Sequence, residues 1–434
     1  MGEQLTPAVG KSTACPMCGA DIPCDDRFAT WCTACDWNVD PGGEEPARSR
    51  FEATQRRLAH RYGEQLHAEL LAGPDAASAK GDRSGALARA VALAVHGVTA
   101  TLAVGGVLLM VLGRNSILQC ALGIILLVTA VVLRPRFHRL PDTAQVLLRA
   151  DAPRLYELVD DVASAVGTRG VDIVVVDGDC NAFVTTYGIK GRRALHIGLG
   201  LWEALDPQER VALLGHELGH YANGDLRHGF FIGTALSSLN HWLYFLTPAH
   251  SLHRHRTIPE IATDALMAVP RWGVYGIALL LEGLTLRSSQ RSEYLADRAA
   301  ARVASTAAAA ALMDRLLIGD AIRSALRTES VRAQTRIGGA APRAAADGLW
   351  ERIARRAATV SEREYERRRR VSALRGHSVD STHPPTHLRR HLIETGEPAE
   401  AAVVVGPEAA AAIAAEMAAV RATIARHVIR DLAG

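Results

Sequence analysis

Two histidines and a glutamate share one short segment, LLGHELGHYANGD (213–225), in an order that can bind and use a metal ion. On a helix, His216 and His220 project from the same face, so both imidazoles can ligate one tetrahedral zinc ion. Glu217 can reach a water molecule on that ion without binding the metal. Because zinc lowers the pKa of such a water to about 7, a carboxylate can accept its proton at neutral pH. HExxH is short enough to arise by chance, so the rest of the chain must supply a third ligand.

The segment SEYLADRAA (292–300) offers that ligand. Glu293 can complete the ligand set, and Asp297 lies one turn later on the same helix face. A carboxylate there can accept a hydrogen bond from the second nitrogen of a ligand histidine and fix its orientation. The alternative is a chance HExxH beside an ordinary acidic pair on a surface helix. The context of both segments favours the zinc site.

The histidine segment must be helical for this site to form. Asp206, Pro207 and Glu209 form a strong start signal, with Asp206 as N-cap, proline in the first turn and Glu209 in the capping-box position. Asn223 and Gly224 predict its end. Apolar spacing predicts further elements: a helix near 151–166, strands within 171–188 and 193–202, and another helix that starts after 285. The predicted fold class is α+β and mostly α-helical.

Two long apolar runs, 86–113 and 116–133, are each long enough to span a bilayer. They predict a transmembrane hairpin over 85–134. Basic residues flank its outer ends: Lys80, Arg83, Arg134, Arg136 and Arg139. The positive-inside rule therefore puts both flanks in the cytoplasm. The alternative is a buried helical hairpin of a soluble protein.

Two further apolar segments, 229–246 and 265–284, follow the histidine motif and carry several polar residues. They could be membrane spans packed against partners, or half-buried helices at the membrane surface. We favour spans, which gives about four transmembrane helices. Because His220 and Glu293 must lie on one side of the membrane, the chain between them must cross an even number of times. Two spans or none satisfy this condition.

The N-terminal residues 1–45 contain two CxxC pairs, CPMCG and CTACDW. Cys15, Cys18, Cys32 and Cys35 suit a closed tetrahedral site for a structural Zn²⁺, and a zinc ribbon is the expected fold. The alternative, a redox dithiol, needs a single CxxC at a helix start, and that context is absent. Cys24 is spare. The ribbon is not basic and the net charge is only +3, so a protein partner is favoured and nucleic acid is unlikely.

The remaining organisation follows from these segments. Residues 46–84 read as a helical linker, and 135–434 as a zinc metallopeptidase domain that includes the two later apolar segments. The charged run SEREYERRRR (361–370) is interpreted as a solvated helix face, with a membrane-surface contact as the less favoured interpretation.

Over about residues 85–395 the chain resembles the HtpX-type membrane zinc metallopeptidases, relatives of the CAAX prenyl-protein endopeptidases. The resemblance is carried by the paired apolar runs and by NAF (181–183), LDPQERVALLGHELGHYANGD (205–225), RSEYLADRAA (291–300) and STHPPTHLRR (381–390). It implies a zincin-like domain of the gluzincin type that cleaves membrane or misfolded proteins. It also implies an integral protein of the plasma membrane, with the catalytic domain and the N-terminus cytoplasmic.

The resemblance assigns roles to residues that the spacing alone does not mark. Asn181, Ala182 and Phe183 would lie on the strand that pairs with substrate backbone, which is β-augmentation. His383 of the HPP motif would stabilise the oxyanion beside zinc. Asn223 and Asp225 recur in the family's helix-end pattern, where helix capping is the modest interpretation.

The chain departs from the family in a long Ala-rich segment, about 300–375, and in the added Cys module. These departures concern substrate choice and regulation. Two functions remain in view: a membrane zinc endopeptidase with Glu217 as general base, and a membrane-anchored zinc-ribbon adaptor with a non-catalytic protease-like domain. The intact residues His216, Glu217, His220 and Glu293 favour the enzyme.

Overall fold

The fold is α+β and mostly helical, as predicted. The computed structural model describes residues 12–43, 50–73, 83–135, 140, 144–188, 190–223, 225–247, 258–335, 345–376 and 383–431. The helices treated below are α1 Arg50–Leu71, α2 Arg83–Leu112, α3 Ile117–Leu133, α4 Pro153–Val166, α5 Leu199–Trp202, α6 Pro207–Ala222, α7 Asp225–Leu246 and α8 Ile258–Ala304. They are followed by α9 Thr306–Leu317, α10 Gly319–Thr335, α11 Leu349–Ala358, α12 Glu362–Arg375, α13 Thr386–Thr395, α14 Pro407–Glu416 and α15 Ala418–Asp431.

A small hairpin at the N-terminus is formed by β1 (Ser12–Ala14) and β2 (Asp21–Pro23), which pair antiparallel. The part of the chain that follows the apolar hairpin contains a four-stranded sheet of order β3-β4-β6-β5. Its strands are β3 Gln145–Leu147, β4 Ile173–Asp177, β5 Ala182–Tyr187 and β6 Arg192–Gly198. Strand β4 runs parallel to β6, whereas the other pairs are antiparallel. Strand β5 therefore lies at an edge, with one side of its backbone unpaired within this sheet.

The predicted strand over 193–202 is too long, because β6 ends at Gly198 and residues 199–202 form helix α5. Gly198 explains the ending. A Cβ there would lie 2.3 Å from the Asp179 carbonyl oxygen, so only glycine allows the chain to pass this close to the β4–β5 turn. The predicted helix near 151–166 is confirmed as α4, whose buried face packs on the sheet.

The predicted start of the histidine helix α6 is confirmed. The Asp206 backbone N–H donates to Glu209 Oε2 at 2.9 Å, and the Asp206 side chain accepts from the Glu209 backbone, which completes the capping box. Arg315 of α9 contacts the same Glu209 carboxylate at 3.1 Å. The helix ends at Ala222, with Asn223 as C-cap. These contacts fix the axis along which the two histidines project.

The first two apolar runs form a tight hairpin of α2 and α3. The helices come closest at Gly106 and Gly123, where a Cβ on either glycine would lie 2.9 Å from the other residue's carbonyl oxygen. Small residues at such a crossing let apolar helices approach closely. Large apolar side chains cover the outside of the hairpin, among them Leu112 and Ile117. That exposure disagrees with the alternative of a buried hairpin in a soluble protein.

Among the described residues, two helices are long and apolar enough to cross a membrane: Ser84–Leu112 and Ile261–Ala304. Helix α3 is apolar but shorter. Of the roughly four predicted spans, two segments therefore lie on helices with the length and apolarity of a candidate span, and the number four is not confirmed. The loop at 248–257, between the two later apolar segments, lies outside the described residues.

The prediction that a new helix starts after 285 is wrong. Helix α8 is continuous for 47 residues and joins the fourth apolar segment to the SEYLAD motif. No glycine or proline interrupts the junction, and Ser288 Oγ donates back to the Thr285 carbonyl at 2.8 Å instead of capping a new helix. At 1.5 Å per residue, α8 is roughly 70 Å long, more than twice a bilayer's hydrocarbon core. The apolar half of α8 and the half that carries Glu293 and Asp297, called the acidic half below, belong to one continuous helix, which contains Pro270.

The predicted linker contains a packed helix. On α1, the Gly63 carbonyl accepts a hydrogen bond from Tyr294 Oη at 3.0 Å, and the Ala59 carbonyl accepts one from Gln290 Nε2 at 2.9 Å. Leu66 and Leu70 are buried against Tyr294 and against Leu392 of α13. Helix α1 thus braces the acidic half of α8 from the side opposite α6.

Candidate metal centre

The candidate metal centre lies where α6 and α8 cross at close range. On α6, Gly215 directly precedes His216, and Gly219 lies between His216 and His220. A Cβ on Gly215 would lie 3.1 Å from Ala300 Cα, and a Cβ on Gly219 would lie 3.1 Å from Ala296 Cα. Glycine on one helix and alanine on the other therefore let the backbones approach. This approach brings the HExxH and ExxxD motifs into contact.

The three predicted ligands converge. His216 Nε2 lies 3.5 Å from Glu293 Oε2, and His220 Nε2 lies 3.5 Å from Glu293 Oε1. The three ligand atoms all fall within 4.8 Å of one another. In a tetrahedral site with bonds of about 2.1 Å, ligand atoms are roughly 3.4 Å apart. No described residue donates a hydrogen bond to the buried Glu293 Oε2, so this donor set fits a zinc ion.

Each ligand histidine is oriented by its second nitrogen. His216 Nδ1 lies 3.0 Å from Asp297 Oδ1, as the ExxxD spacing predicts, and Asp297 is fully buried. His220 Nδ1 lies 3.1 Å from Ser292 Oγ. Both partners lie on α8, beside Glu293. Such contacts fix the tautomer and orient each Nε2 toward Glu293, where a metal ion would bind.

Sequence reasoning missed Arg389, which is central to the site. Its Nε and Nη2 donate to the two oxygens of Asp297 at 2.8 and 2.7 Å. Nη2 also lies 3.4 Å from Glu293 Oε2. Arg389 is buried on α13, between the half-buried Leu388 and the buried Leu392. The available signal was an arginine six residues after His383, on the apolar face of a short helix.

The charges of this cluster attract a cation. Burial alone lowers the pKa of His216, but hydrogen bonds to Asp297 and Glu293 outweigh burial and raise that pKa to about 10. The carboxylates thus hold positive charge strongly at this point. A divalent metal ion is the ligand that such a histidine–carboxylate set suits.

Glu217 is buried beside the ligands, on the same turn of α6 as His216. Burial raises the pKa of Glu217, an effect that the histidines His216, His220 and His383 oppose. A carboxyl group with a raised pKa can accept a proton and release it again near neutral pH. Its environment therefore suits a general acid and base.

His383 comes to the edge of this cluster, where its Nε2 lies 3.5 Å from Glu293 Oε1. Its side chain is 37% exposed, compared with 8% for His216. The structure thus brings His383 to the solvent-facing side of the ligands. Sequence spacing alone gave no reason to expect this, because His383 is 90 residues beyond Glu293.

The NAF residues lie where the sheet meets α6. Asn181 comes just before edge strand β5 and its carbonyl accepts from Gly198 N–H at 2.9 Å. Ala182 is buried, whereas Phe183 is 41% exposed and its ring stacks on His196 at 4.2 Å. Tyr221, directly after His220, donates to the Thr185 carbonyl at 2.6 Å. The edge strand is thus tied to the histidine helix.

Asn223 and Asp225 lie at the junction between helices α6 and α7. Asn223 is the C-cap of α6, as its capping interpretation predicts, and Asp225 begins α7. The side chain of Asp225 lies outside the described residues.

The four predicted ribbon cysteines also converge. Cys15 Sγ lies 3.6 Å from Cys35 Sγ, and Cys18 Sγ lies 3.6 Å from Cys32 Sγ. Four thiolates at about 2.3 Å from one zinc ion would be roughly 3.8 Å apart, so this set fits a structural zinc site. All four cysteines are free thiols and form one group, whereas a redox dithiol needs only a single pair.

The two ribbon turns have the same shape. Gly19, after Cys18, has a φ of 76°, and Asp36, after Cys35, has a φ of 57°. Glycine adopts this conformation without strain at the first turn, whereas the second turn uses aspartate, which tolerates it. Cys24 lies outside the group of four and its thiol contacts the Ile22 carbonyl at 3.6 Å.

The comparisons with known proteins agree with this site. The model of peptidase family M48 matches residues 149–396, more than half of the chain. Among curated proteins, the chain is 27% identical over 249 residues to a protease HtpX homolog of Pyrobaculum calidifontis, covering 56% of this chain and 67% of the relative. It is 31% identical over 157 residues to the homolog of Pyrobaculum aerophilum, covering 35% and 43%.

A protease HtpX of Xanthomonas oryzae is 39% identical over 88 residues, which cover 19% of this chain and 30% of the relative. No solved structure matches the chain significantly. The M48 match includes α6, the acidic half of α8 and α13, and begins after the ribbon. The chain therefore belongs to peptidase family M48 and is a metallopeptidase of the HtpX type.

Proposed function

We propose that this metallopeptidase is a membrane-bound, zinc-dependent endopeptidase with a gluzincin-type site, acting on membrane or misfolded proteins. The observation that carries the proposal is the convergence of His216, His220 and Glu293, with Glu217 buried beside them. A structure that only bound partners would not need a buried carboxyl group next to a set of metal ligands. The alternative, an adaptor with a non-catalytic domain, does not explain why Glu217 is buried beside the proposed ligands.

Each residue of the centre has a proposed role. His216, His220 and Glu293 would hold zinc, which when bound polarises a carbonyl and makes a water molecule more acidic. Glu217 accepts the proton of the attacking water and returns it to the leaving amine. His383, at the exposed side, donates a hydrogen bond to the oxyanion of the tetrahedral intermediate. Asp297, held by Arg389, keeps the His216 ring in place.

The edge of the sheet is the proposed substrate-binding strand. An extended peptide can add to the unpaired side of β5 by main-chain hydrogen bonds. Asn181, Ala182 and Phe183 would then contact its backbone and side chains. The bond between Tyr221 and the Thr185 carbonyl supports this placement, because it fixes the strand relative to the histidine helix.

The membrane topology is proposed from the same distances. His220 and Glu293 lie in one cluster, so α7 and the apolar half of α8 would either both cross the bilayer or both remain on one side. We propose that both cross, together with α2 and α3. Basic residues at the outer ends of the hairpin support a cytoplasmic position for the catalytic domain and the N-terminus, in the plasma membrane.

The proposal is tested with purified, detergent-solubilised, zinc-loaded protein and an unfolded casein-like substrate. Glu217→Gln should keep the metal and abolish cleavage, because it removes the general base and leaves the ligands. Glu157→Gln, an exposed position on α4, is the matched control and should cleave like the wild type. Absence of cleavage by the wild type at full zinc occupancy would contradict the enzyme and favour the adaptor.

A further inference from the structure

The ribbon lies against helix α12, the arginine-rich segment predicted to be a solvated helix face. That prediction is wrong for one side of the helix. Trp31 of the ribbon is only 1% exposed, because the guanidinium groups of Arg363 and Arg370 each lie 5.1 Å from its ring centroid. Arg363 also donates to the Trp31 carbonyl. One face of α12 is therefore an interface with the ribbon.

Charged contacts extend this interface along three turns of α12. Arg370 Nη1 donates to Asp36 Oδ1 at 2.7 Å, and Arg375 binds both oxygens of Asp40 at 2.8 and 2.6 Å. Arg367 Nη1 donates to the Val39 carbonyl at 2.8 Å. All of these contacts come from residues 31–40, around the second CxxC turn.

The shape of that second turn depends on its cysteines. Asp36 N–H donates to the Cys32 carbonyl at 3.0 Å, and Val39 N–H donates to the Asp36 carbonyl at 3.1 Å. A module of this size buries too few apolar side chains to fold by packing alone, so a metal at the four thiolates would hold it together. The ribbon residues that contact α12 therefore depend on ligation of Cys32 and Cys35 for their positions.

The opposite side of α12 faces the helix that completes the catalytic site. Arg369 Nη1 donates to Asp314 Oδ2 at 2.9 Å, and Arg390 Nε of α13 lies 3.3 Å from Asp314 Oδ1. One carboxylate of α9 therefore joins α12 to α13. Arg390 is adjacent to Arg389, which binds Asp297 beside the metal ligands.

We infer that the ribbon is a positioning element of the catalytic site. Its metal-held second turn fixes α12, and α12 fixes α13 through Asp314, which sets the positions of Arg389 and His383. Trp31, Asp36 and Asp40 are positioning residues that never touch substrate. The effect on catalysis rests on the proposed peptidase function, whereas the effect on α12 and α13 does not.

The first test reverses one ion pair in the full-length, detergent-solubilised protein. Asp40→Arg and Arg375→Asp should each speed amide hydrogen exchange in residues 362–376 and 383–395. Each should also lower kcat roughly threefold to tenfold, a range typical of such coupling, with KM little changed. The Asp40→Arg/Arg375→Asp double variant should restore both readouts. Asp25→Arg is the matched control, because Asp25 pairs with Arg27 inside the ribbon.

The second test removes the ribbon metal. Cys18→Ser/Cys35→Ser should lower zinc content by one equivalent per chain and produce the same rise in exchange over α12 and α13. Unchanged exchange after this loss, or single charge variants that behave like the control, would overturn the inference and make the ribbon an independent module. A wild type without peptidase activity would contradict the proposed function alone, since exchange still reports on the ribbon contact.

Discussion

At the scale of single residues, the site is controlled by groups that surround the ligands. Asp297 is fully buried and its charge is matched by Arg389, which makes a two-pronged contact with both carboxylate oxygens. Removing one partner of a buried pair leaves an unpaired charge, which costs far more than loss of an exposed ion pair. We therefore expect Arg389 to affect both stability and metal binding.

We expect Arg389→Ala to destabilise the protein by about 3–5 kcal/mol, because Asp297 loses its partner. Zinc affinity should fall roughly 10- to 100-fold, because Asp297 no longer holds the His216 ring in place. Thermal unfolding and zinc titration against a competing chelator measure the two effects. Arg332→Ala, at an exposed position of α10, serves as control. If Arg389→Ala bound zinc as tightly as the wild type, Arg389 would have no role in metal binding.

At the scale of elements, two contacts decide the geometry: the crossing of α6 with α8 and the contact of α1 with α13. The first depends on glycines and alanines that leave room for a close approach of two backbones. The second contains several histidines, with His67 Nε2 lying 3.0 Å from His391 Nδ1. The α6–α8 crossing is therefore sensitive to side-chain volume, and the α1–α13 contact is sensitive to protonation of its histidines.

We expect Gly219→Val to separate α6 from α8, since even a Cβ there would lie 3.1 Å from Ala296 Cα. The cost should be about 1–3 kcal/mol for overpacking, together with loss of most bound zinc. Gly219→Ala should be close to neutral, because better helix propensity offsets part of the crowding. Metal analysis and thermal unfolding test this. Gly233→Val, which meets open space, should retain zinc, and equal loss in both variants would contradict the explanation.

Acidification should weaken the contact around α13. Burial lowers the pKa of His387 to about 4, with a smaller effect from His60 and His67. Because the folded-state pKa is depressed, His387 contributes stability above pH 6.5 that is lost as pH falls from 6.5 towards 4. The loss should reach about 1–3 kcal/mol. Unfolding of wild type and His387→Gln at pH 7 and pH 5 tests it, and an equal pH response in both proteins would contradict it.

At the scale of the whole molecule, the single helix α8 joins the apolar segment proposed to cross the membrane to the candidate metal centre. Helix α8 carries apolar, exposed residues in its first half and Glu293 and Asp297 in its second. Glu293 and Asp297 therefore lie on the same helix as the segment proposed to cross the bilayer. Helices α1, α6 and α13 pack around the acidic half and complete the site.

We expect a membrane-impermeant maleimide to distinguish the two sides of the membrane. In intact cells, Asn115→Cys, in the α2–α3 link, should be labelled, because the proposed topology puts this link outside. The variant Cys120→Ser, which lacks the free thiol beside this link, should be labelled only after permeabilisation, although Cys18 and Cys35 are exposed on the ribbon. Labelling of Cys120→Ser in intact cells would contradict the proposed orientation.

Much of the site could be predicted because its signals are local. HExxH, the capping box around Asp206, the ExxxD spacing and the two CxxC pairs each lie within a few residues, where helix or turn geometry fixes relative positions. The apolar runs likewise follow from composition. Four spans did not follow as simply, since polar residues in 229–246 leave that segment below the apolarity of α2.

The tertiary structure alone decided how distant segments meet. The sequence by itself determined the ligand types, their helix faces, the four thiolates and the apolar hairpin. It did not determine that α8 is continuous, that Arg389 reaches Asp297 from 92 residues away, or that the ribbon rests on α12. Those features depend on packing between elements far apart in the chain. The residues next to each position in the sequence do not indicate which distant element will pack against it.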